Sequence, residues 1–193
     1  MKRIILASGS PRRTAFLDMI GIKHEIIVSG IDEDAAGKGN TPQDVVVNIA
    51  LAKAKAAAEL VDTGVIIGAD TTVFCEGKYY GKPDDKEHAK TLLKELQGKN
   101  HTVYTGCAVI DKNGDKEEIT SFCEEADVFI SKITDDEICG YVETGEPLDK
   151  AGAYAIQGIG SVFVEKINGD FYTVAGLPLA RLYKVLKEMG IFI

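Results

Sequence analysis

The chemistry-bearing residues of this chain cluster first in Leu6-Ala7-Ser8-Gly9-Ser10-Pro11-Arg12-Arg13. An apolar run, Ile4-Ile5-Leu6, precedes the turn and reads as a buried strand. Residues 14–20 follow it and read as a helix, with Ser10 suited to the N-cap and Pro11 to the first helical position. A small-residue turn at a helix N-terminus favours anions, because free amides and the helix dipole both point at it. Arg12 and Arg13 work against that dipole. They either offer forks to phosphate oxygens or are two solvated arginines at a helix start. Asp70 ends another apolar run, Val65-Ile66-Ile67-Gly68-Ala69. A carboxylate there is costly to bury without partners. It is either the cap of a local turn or a metal ligand or general base. Lys53 falls inside the apolar arc that Val46, Ile49, Ala56, Ala57 and Leu60 make at 100° per residue, whereas Lys55 points the other way. Its stem either packs at the core edge or carries a cation toward a ligand. Lys82 stands in the tight loop Gly81-Lys82-Pro83, and Asp32 and Glu33 in a loop rich in glycine and acids. Gln157 opens Gln157-Gly158-Ile159-Gly160, where Gly-x-Gly alone marks a turn more often than a nucleotide. Several cations with two acidic positions suit a polyphosphate carried with a divalent metal, since Mg²⁺ takes one or two carboxylates plus phosphate oxygens. The sequence has neither G-x-x-x-x-G-K-[ST] nor a dinucleotide fingerprint after its first strand, so the common NTPase and Rossmann folds are not indicated.

Mixed secondary structure must position these residues. Strands are predicted over 4–6, 24–29 and 65–74, with a hairpin turn at Glu76-Gly77. Thr41 caps a helix over 42–61 that starts with Pro42, and Pro83-Asp84-Asp85 starts another that runs through Leu92, Leu93 and Leu96. Strands over 101–110 and 117–130 flank Asp111-Lys112-Asn113-Gly114, a hairpin signal because Asn-Gly accepts positive φ. Thr134-Asp135-Asp136-Glu137 is a capping box ahead of Ile138, Tyr141 and Val142. Residues 145–152 read as a loop, and 153–156 and 161–167 as strands. Gly176-Leu177-Pro178 opens a last helix with an apolar stripe of Leu179, Leu182, Tyr183, Leu186 and Met189. The hairpins argue against a purely parallel sheet. The expectation is an α/β fold with a twisted mixed β-sheet flanked by helices, in two lobes around a central cleft, as a single domain over residues 1–193.

Composition narrows the function. The chain is 45% hydrophobic with a formal net charge of −8. That charge argues against a broad nucleic-acid or anionic-membrane surface, while a few converging cations still hold a small anion. Cys75, Cys107, Cys123 and Cys139 form no C-x-x-C pair, and His24, His88 and His101 lie far from any zinc spacing. Reduced structural thiols in a cytoplasmic protein are the expectation. Lys2 and Arg3 precede too short an apolar run for a signal peptide, and no stretch reads as bilayer-spanning.

Seven segments together resemble the Maf family of nucleoside triphosphate pyrophosphatases, in that family's order along nearly the whole chain. They are Ala7 to Arg13, Ile49-Ala50-Leu51-Ala52-Lys53-Ala54, Gly68-Ala69-Asp70-Thr71, Gly81-Lys82-Pro83, Asp149-Lys150-Ala151-Gly152-Ala153-Tyr154, Ile156-Gln157-Gly158 and Gly176-Leu177-Pro178. Ile49 stands where the family usually has Leu, and Ala155 where Gly often precedes Ile-Gln-Gly. The resemblance implies a Maf/ITPase-like fold and a house-cleaning hydrolase. It would convert dTTP, UTP or modified pyrimidine nucleotides to the monophosphate and pyrophosphate with a divalent cation, Mg²⁺ or Mn²⁺. Asp70 matches the family's proton acceptor. Ser8, Arg13, Lys53 and Lys82 match substrate-binding positions, and Glu33 and Asp70 match metal positions. Arg12, Thr71 and Gln157 match the specificity positions of the dTTP/UTP subgroup; a sister subgroup acting on 7-methyl-GTP carries other residues there. A homodimer is typical of such families. The alternative, implied by the family name's origin in septum inhibition, is a nucleotide-binding regulator of cell division with little catalysis.

Overall fold

A computed structural model describes residues 2–28 and 30–192. In chain order the elements are β1 (Ile4–Leu6), α1 (Pro11–Met19), β2 (Glu25–Ile26), α2 (Glu33–Ala36), α3 (Pro42–Ala58), β3 (Thr63–Cys75), β4 (Lys78–Tyr80), α4 (Lys86–Leu96), β5 (Asn100–Asn113), β6 (Lys116–Ile130), α5 (Asp135–Glu143), β7 (Val164–Gly169), α6 (Phe171–Val174) and α7 (Leu179–Glu188). Short 3₁₀ turns at Glu146–Asp149, Ala151–Ala153 and Ile159–Phe163 lie between α5 and β7. The strands form one seven-stranded sheet in the order β2-β1-β3-β5-β6-β7, with β4 paired to β3. Its pairings are mixed: β1 runs parallel to β2 and β3, whereas β3–β4 and β6–β7 are antiparallel. The mixed sheet and flanking helices expected from the sequence are therefore present. No helix among the described residues is long and apolar enough to cross a membrane.

Local chemistry explains the helix starts. Thr41 and Asp44 close a reciprocal capping box on α3, and Thr134 and Glu137 do the same on α5. Asp85 caps α4 by accepting from the His88 amide at 2.7 Å. Ser10 has the backbone of an N-cap, yet its side chain makes no capping hydrogen bond on α1.

The chain divides into two compact units. The first holds the chain up to Asp70, Thr105–Glu124 and the chain from Gly176; the second holds Thr71–Tyr104 and Glu125–Ala175. In the first, Ile5, Ile66, Ala108 and Ile110 pack against Ala50, Ala54, Ala57 and Ala58 of α3. Small residues meet here because the backbones nearly touch. A Cβ on Gly68 would lie 2.2 Å from the Ala50 carbonyl oxygen, and one on Gly106 2.4 Å from Val46 backbone atoms. In the second unit, Leu92, Leu93 and Leu96 of α4 and Ile138 and Val142 of α5 share a core with Val73, Val103, Val128 and Ile130.

Several expected elements differ. Helix α3 stops at Ala58, so Leu60 no longer follows the helical projection and is 67% exposed. Strand β2 is only Glu25–Ile26; Ser29, the end of the strand expected there, lies outside the described residues. The acidic loop contains α2, capped by Asp32. Residues 153–156 form no strand, because Gly152 and Ala153 take φ of 70° and 58°, left-handed values that a strand does not admit. The next strand begins at Val164 rather than 161, after the 3₁₀ turn.

Candidate active site

The close approach at Gly68 builds the centre of the site. Side chains on a strand alternate, so Ile66, Gly68 and Asp70 face the same way, toward α3. Lys53 leaves α3 beside Ala54, which meets Gly68. Its Nζ donates to Asp70 Oδ1 at 2.8 Å, and both side chains are largely buried, at 13% and 14% exposure. The same ammonium lies 2.9 Å from Glu33 Oε1. Asp32 is committed to capping α2 through the Ala35 amide at 3.0 Å, which leaves Glu33 as the acid that reaches Lys53. Lys53 is thus largely buried, with its charge directed at two carboxylates.

The Ser8–Arg13 turn joins the same unit. Arg13 is buried, and its guanidinium donates from Nη1 to Ser8 Oγ at 3.0 Å and to the Ala69 carbonyl at 2.8 Å, and from Nε to the Gly176 carbonyl at 2.8 Å. It therefore ties the turn after β1 to the residue before Asp70 and to the start of the last segment. Burial lowers the Arg13 pKa below its ordinary value, while the negative charge of Asp70 works against that shift. An arginine keeps its proton under such a shift, so a fixed positive charge sits behind Ser8 and Asp70. The buried Cys107 thiol is pushed up to about 12 by its burial despite the pull of Arg13, and is no nucleophile at neutral pH. Arg12 is half-buried in the first turn of α1.

The structure thus brings Ser8, Arg13, Glu33, Lys53 and Asp70 together. Thr71 is the next residue along β3 and begins the second unit, which also carries Lys82 and Gln157. Lys82 is exposed and makes no hydrogen bond or ion pair among the described residues; Gln157 is half-buried with its side-chain amide similarly unengaged. Sequence reasoning missed the carbonyls of Ala69 and Gly176 as the holders of Arg13. Backbone acceptors leave no mark in residue type, and only the resemblance of Gly176-Leu177-Pro178 singled out that segment.

Two carboxylate oxygens within 3 Å of one cationic nitrogen show that Glu33 and Asp70 are able to share a cation. Among the described residues no three His, Cys, Asp or Glu side chains cluster as a metal site. A divalent ion there would need further oxygens from outside the protein, which is how Mg²⁺ is held beside phosphates. The residues present fit such a group.

Residues 3–189 match the family model described as Maf-like protein. A curated dTTP/UTP pyrophosphatase of Bacillus cereus (strain G9842) is 48% identical over 191 residues, covering 99% of this chain and 97% of that protein. Another of that name, from Bacillus anthracis (strain CDC 684 / NRRL 3495), is 47% identical over the same length, with the same coverage. The solved structure of a HAM1 protein from Coxiella burnetii is 17% identical, with a TM-score of 0.50 over 97% of this chain and 100% of that one, a likeness of fold. With the family model matching residues 3–189 and these relatives matching over nearly the whole length of both chains, the chain belongs to the Maf-like protein family.

Proposed function

We propose that this protein is a nucleoside triphosphate pyrophosphatase that hydrolyses dTTP and UTP, or pyrimidine nucleotides modified at the base, to the monophosphate and pyrophosphate. The observation that carries the reading is Lys53, held between Asp70 and Glu33 at 2.8 and 2.9 Å beside the Ser8–Arg13 turn. The names and high identities of the Bacillus relatives support the substrate.

Water attacks the α-phosphorus, the α–β anhydride bond breaks, and pyrophosphate leaves. Asp70 orients the water and accepts its proton. Lys53 and Lys82 hold phosphate oxygens, and Ser8 offers its hydroxyl. Arg13 acts through its buried charge and by fixing Ser8 against the strand end. Positive groups placed before the reaction stabilise the charge that builds on the leaving group without reorganising. Glu33 and Asp70 would hold a divalent cation, which when bound polarises the phosphate and neutralises the leaving pyrophosphate. Arg12, Thr71 and Gln157 select the base; the Gln157 amide offers a donor and an acceptor to the O4/N3 edge of uracil or thymine.

A panel of nucleoside triphosphates, including 5-substituted pyrimidines, assayed with Mg²⁺ and with Mn²⁺ tests the reading. Pyrophosphate release in step with monophosphate from dTTP and UTP is expected. Stepwise loss of single phosphates would overturn it, and nucleotide binding without turnover would point instead to the regulator of septum formation.

A further inference from the structure

A side-chain clamp outside the Lys53 cluster grips the turn that carries Gln157, and it lies wholly within the second unit. Glu146 opens the first 3₁₀ turn after α5. Its Oε1 accepts from the Tyr141 hydroxyl and from the Gly160 amide, each at 2.9 Å, and its Oε2 accepts from the Ile159 amide at 3.0 Å. The Tyr141 oxygen in turn accepts from the Ala155 amide at 3.1 Å. Ile156-Gln157-Gly158 is therefore tied down on both sides, by Ala155 before it and by Ile159 and Gly160 after it. Gly158 takes φ 85° and ψ −149°, and a Cβ there would lie 2.4 Å from Glu146 Oε2. The turn and the carboxylate fit only with glycine at that position.

Only an ionised carboxylate suits this place. Three donors converge on two oxygens, and a carboxylate is acceptor-only, whereas an amide would turn an N–H toward one of them. Burial by itself would raise the Glu146 pKa, but the Gly160 and Ile159 amides, Tyr141 and Lys150 outweigh it and hold the carboxyl below its usual range. The clamp thus stays charged at neutral pH. Gln157, by contrast, makes no side-chain hydrogen bond among the described residues. Nothing on its own side chain fixes it, so its place is set by the backbone on either side.

We propose that Glu146, acting with Tyr141, is a positioning residue for base selection, holding the Ile156-Gln157-Gly158 turn so that Gln157 meets the pyrimidine edge in one register. This rests on the reading of Gln157 as a base-selecting residue. A recognition group held too loosely loses discrimination before it loses affinity for the rest of the ligand.

The test uses the full chain with Glu146→Gln, Tyr141→Phe, Gln157→Ala and the double variant Glu146→Gln/Gln157→Ala. Amide hydrogen exchange at Ile159 and Gly160 reads the clamp without substrate. The ratio of kcat/KM for UTP to that for CTP reads base selection, and inhibition by inorganic tripolyphosphate reads the phosphate site. Faster exchange, a UTP:CTP ratio at least tenfold lower through a raised KM for UTP, and an unchanged tripolyphosphate Ki are expected for Glu146→Gln. Tyr141→Phe shifts the same readouts in the same direction and serves where the first variant folds poorly. Glu146→Gln adds no further loss of selectivity once Gln157 is Ala. Unchanged exchange, an unchanged ratio despite faster exchange, or an equal fall in kcat for every nucleotide would each overturn the proposal. Absence of turnover by the parent chain would overturn the activity on which it rests, and the exchange result separates that failure from a failure of the clamp.

Discussion

Replacing Asp70 with Asn keeps the shape of the side chain and removes its charge, which isolates what that charge does. Asp70 Oδ1 lies 2.8 Å from Lys53 Nζ. At an effective dielectric constant of about 20 the gross attraction is about 6 kcal/mol. Most of it is offset by the desolvation of two largely buried charges. Asn still accepts the lysine's hydrogen bond, and Glu33 remains 2.9 Å from the ammonium, so Lys53 is not stranded. A net destabilisation of about 1–2 kcal/mol follows, or a fall in Tm of about 2–8 °C for a chain of this size. Turnover should suffer far more. Loss of a positioned proton acceptor costs about 10²–10⁴-fold, and a 10³-fold fall in kcat corresponds to about 4 kcal/mol of barrier. Pyrophosphate release from UTP at saturating Mg²⁺, beside thermal unfolding of the same samples, measures both. A variant that unfolds within a few degrees of the parent yet keeps kcat within about tenfold would remove Asp70 from the proton transfer, since general base loss predicts at least about a hundredfold.

Three further outcomes follow from the geometry. Glu33→Gln keeps the Asp70–Lys53 pair and removes the half-exposed acid, so stability should change by about 0–1 kcal/mol while the Mg²⁺ concentration for half-maximal activity rises several-fold; an unchanged metal titration would take Glu33 out of the metal set. Gly68→Ala drives a Cβ to 2.2 Å from the Ala50 carbonyl oxygen, and denaturant unfolding should show a loss of about 3 kcal/mol or more, because backbone cannot yield as a side chain would. His101, 3% exposed and hydrogen-bonded through Nε2 to the Tyr154 hydroxyl at 2.7 Å, has its pKa pushed down to about 4 by burial, against the pull of Asp127. Its folded pKa lies below the unfolded one, so the unfolded chain binds the proton first and stability falls as pH drops from about 6.5 toward 4. Between pH 7 and 5 the loss is about 2 kcal/mol, and His101→Gln, whose amide keeps a hydrogen bond to Tyr154 but does not titrate, should flatten the unfolding midpoint over that window.

Legibility in the sequence followed the range of the interactions. Thr41-x-x-Asp44 and Thr134-x-x-Glu137 are local, and each starts its helix as read. The hairpins at Glu76-Gly77 and after Asn113 are local too. Residues 153–156, apolar and between glycines, look like a strand, whereas Ala153 takes φ of 58°. That residue sits fully buried in a core with Leu96, Val73 and Tyr154, and tertiary packing sets its backbone. Leu60 joins the apolar arc only if the helix reaches it, and the helix ends two residues earlier, at Ala58. Glu146 falls in a segment that reads as a loop and Tyr141 among residues at helical spacing, and neither reading links the two. A tyrosine on the buried face of a helix still needs a partner for its hydroxyl, and that requirement, set beside Gly158 and Gly160, is the mark this clamp leaves in the sequence.

The arginine pair shows where the pattern of charge is informative and where it stops. Two cations in the first turn of α1 oppose the helix dipole, and the misfit marked them as residues held for a purpose. Arg13 resolves the misfit inward, on two carbonyls and a serine hydroxyl, so its cost is met by the protein before any phosphate arrives. Sequence distinguishes a misplaced charge from a well-placed one, but it does not say whether the compensating oxygens belong to a ligand or to the backbone of residues 56 and 163 positions away. The consequence is mechanistic. An arginine anchored at three protein oxygens holds Ser8 and the strand end before Asp70 at fixed distance and is poorly able to follow a departing pyrophosphate. Its charge is set in place before the reaction, which is what stabilising a leaving group without reorganisation requires.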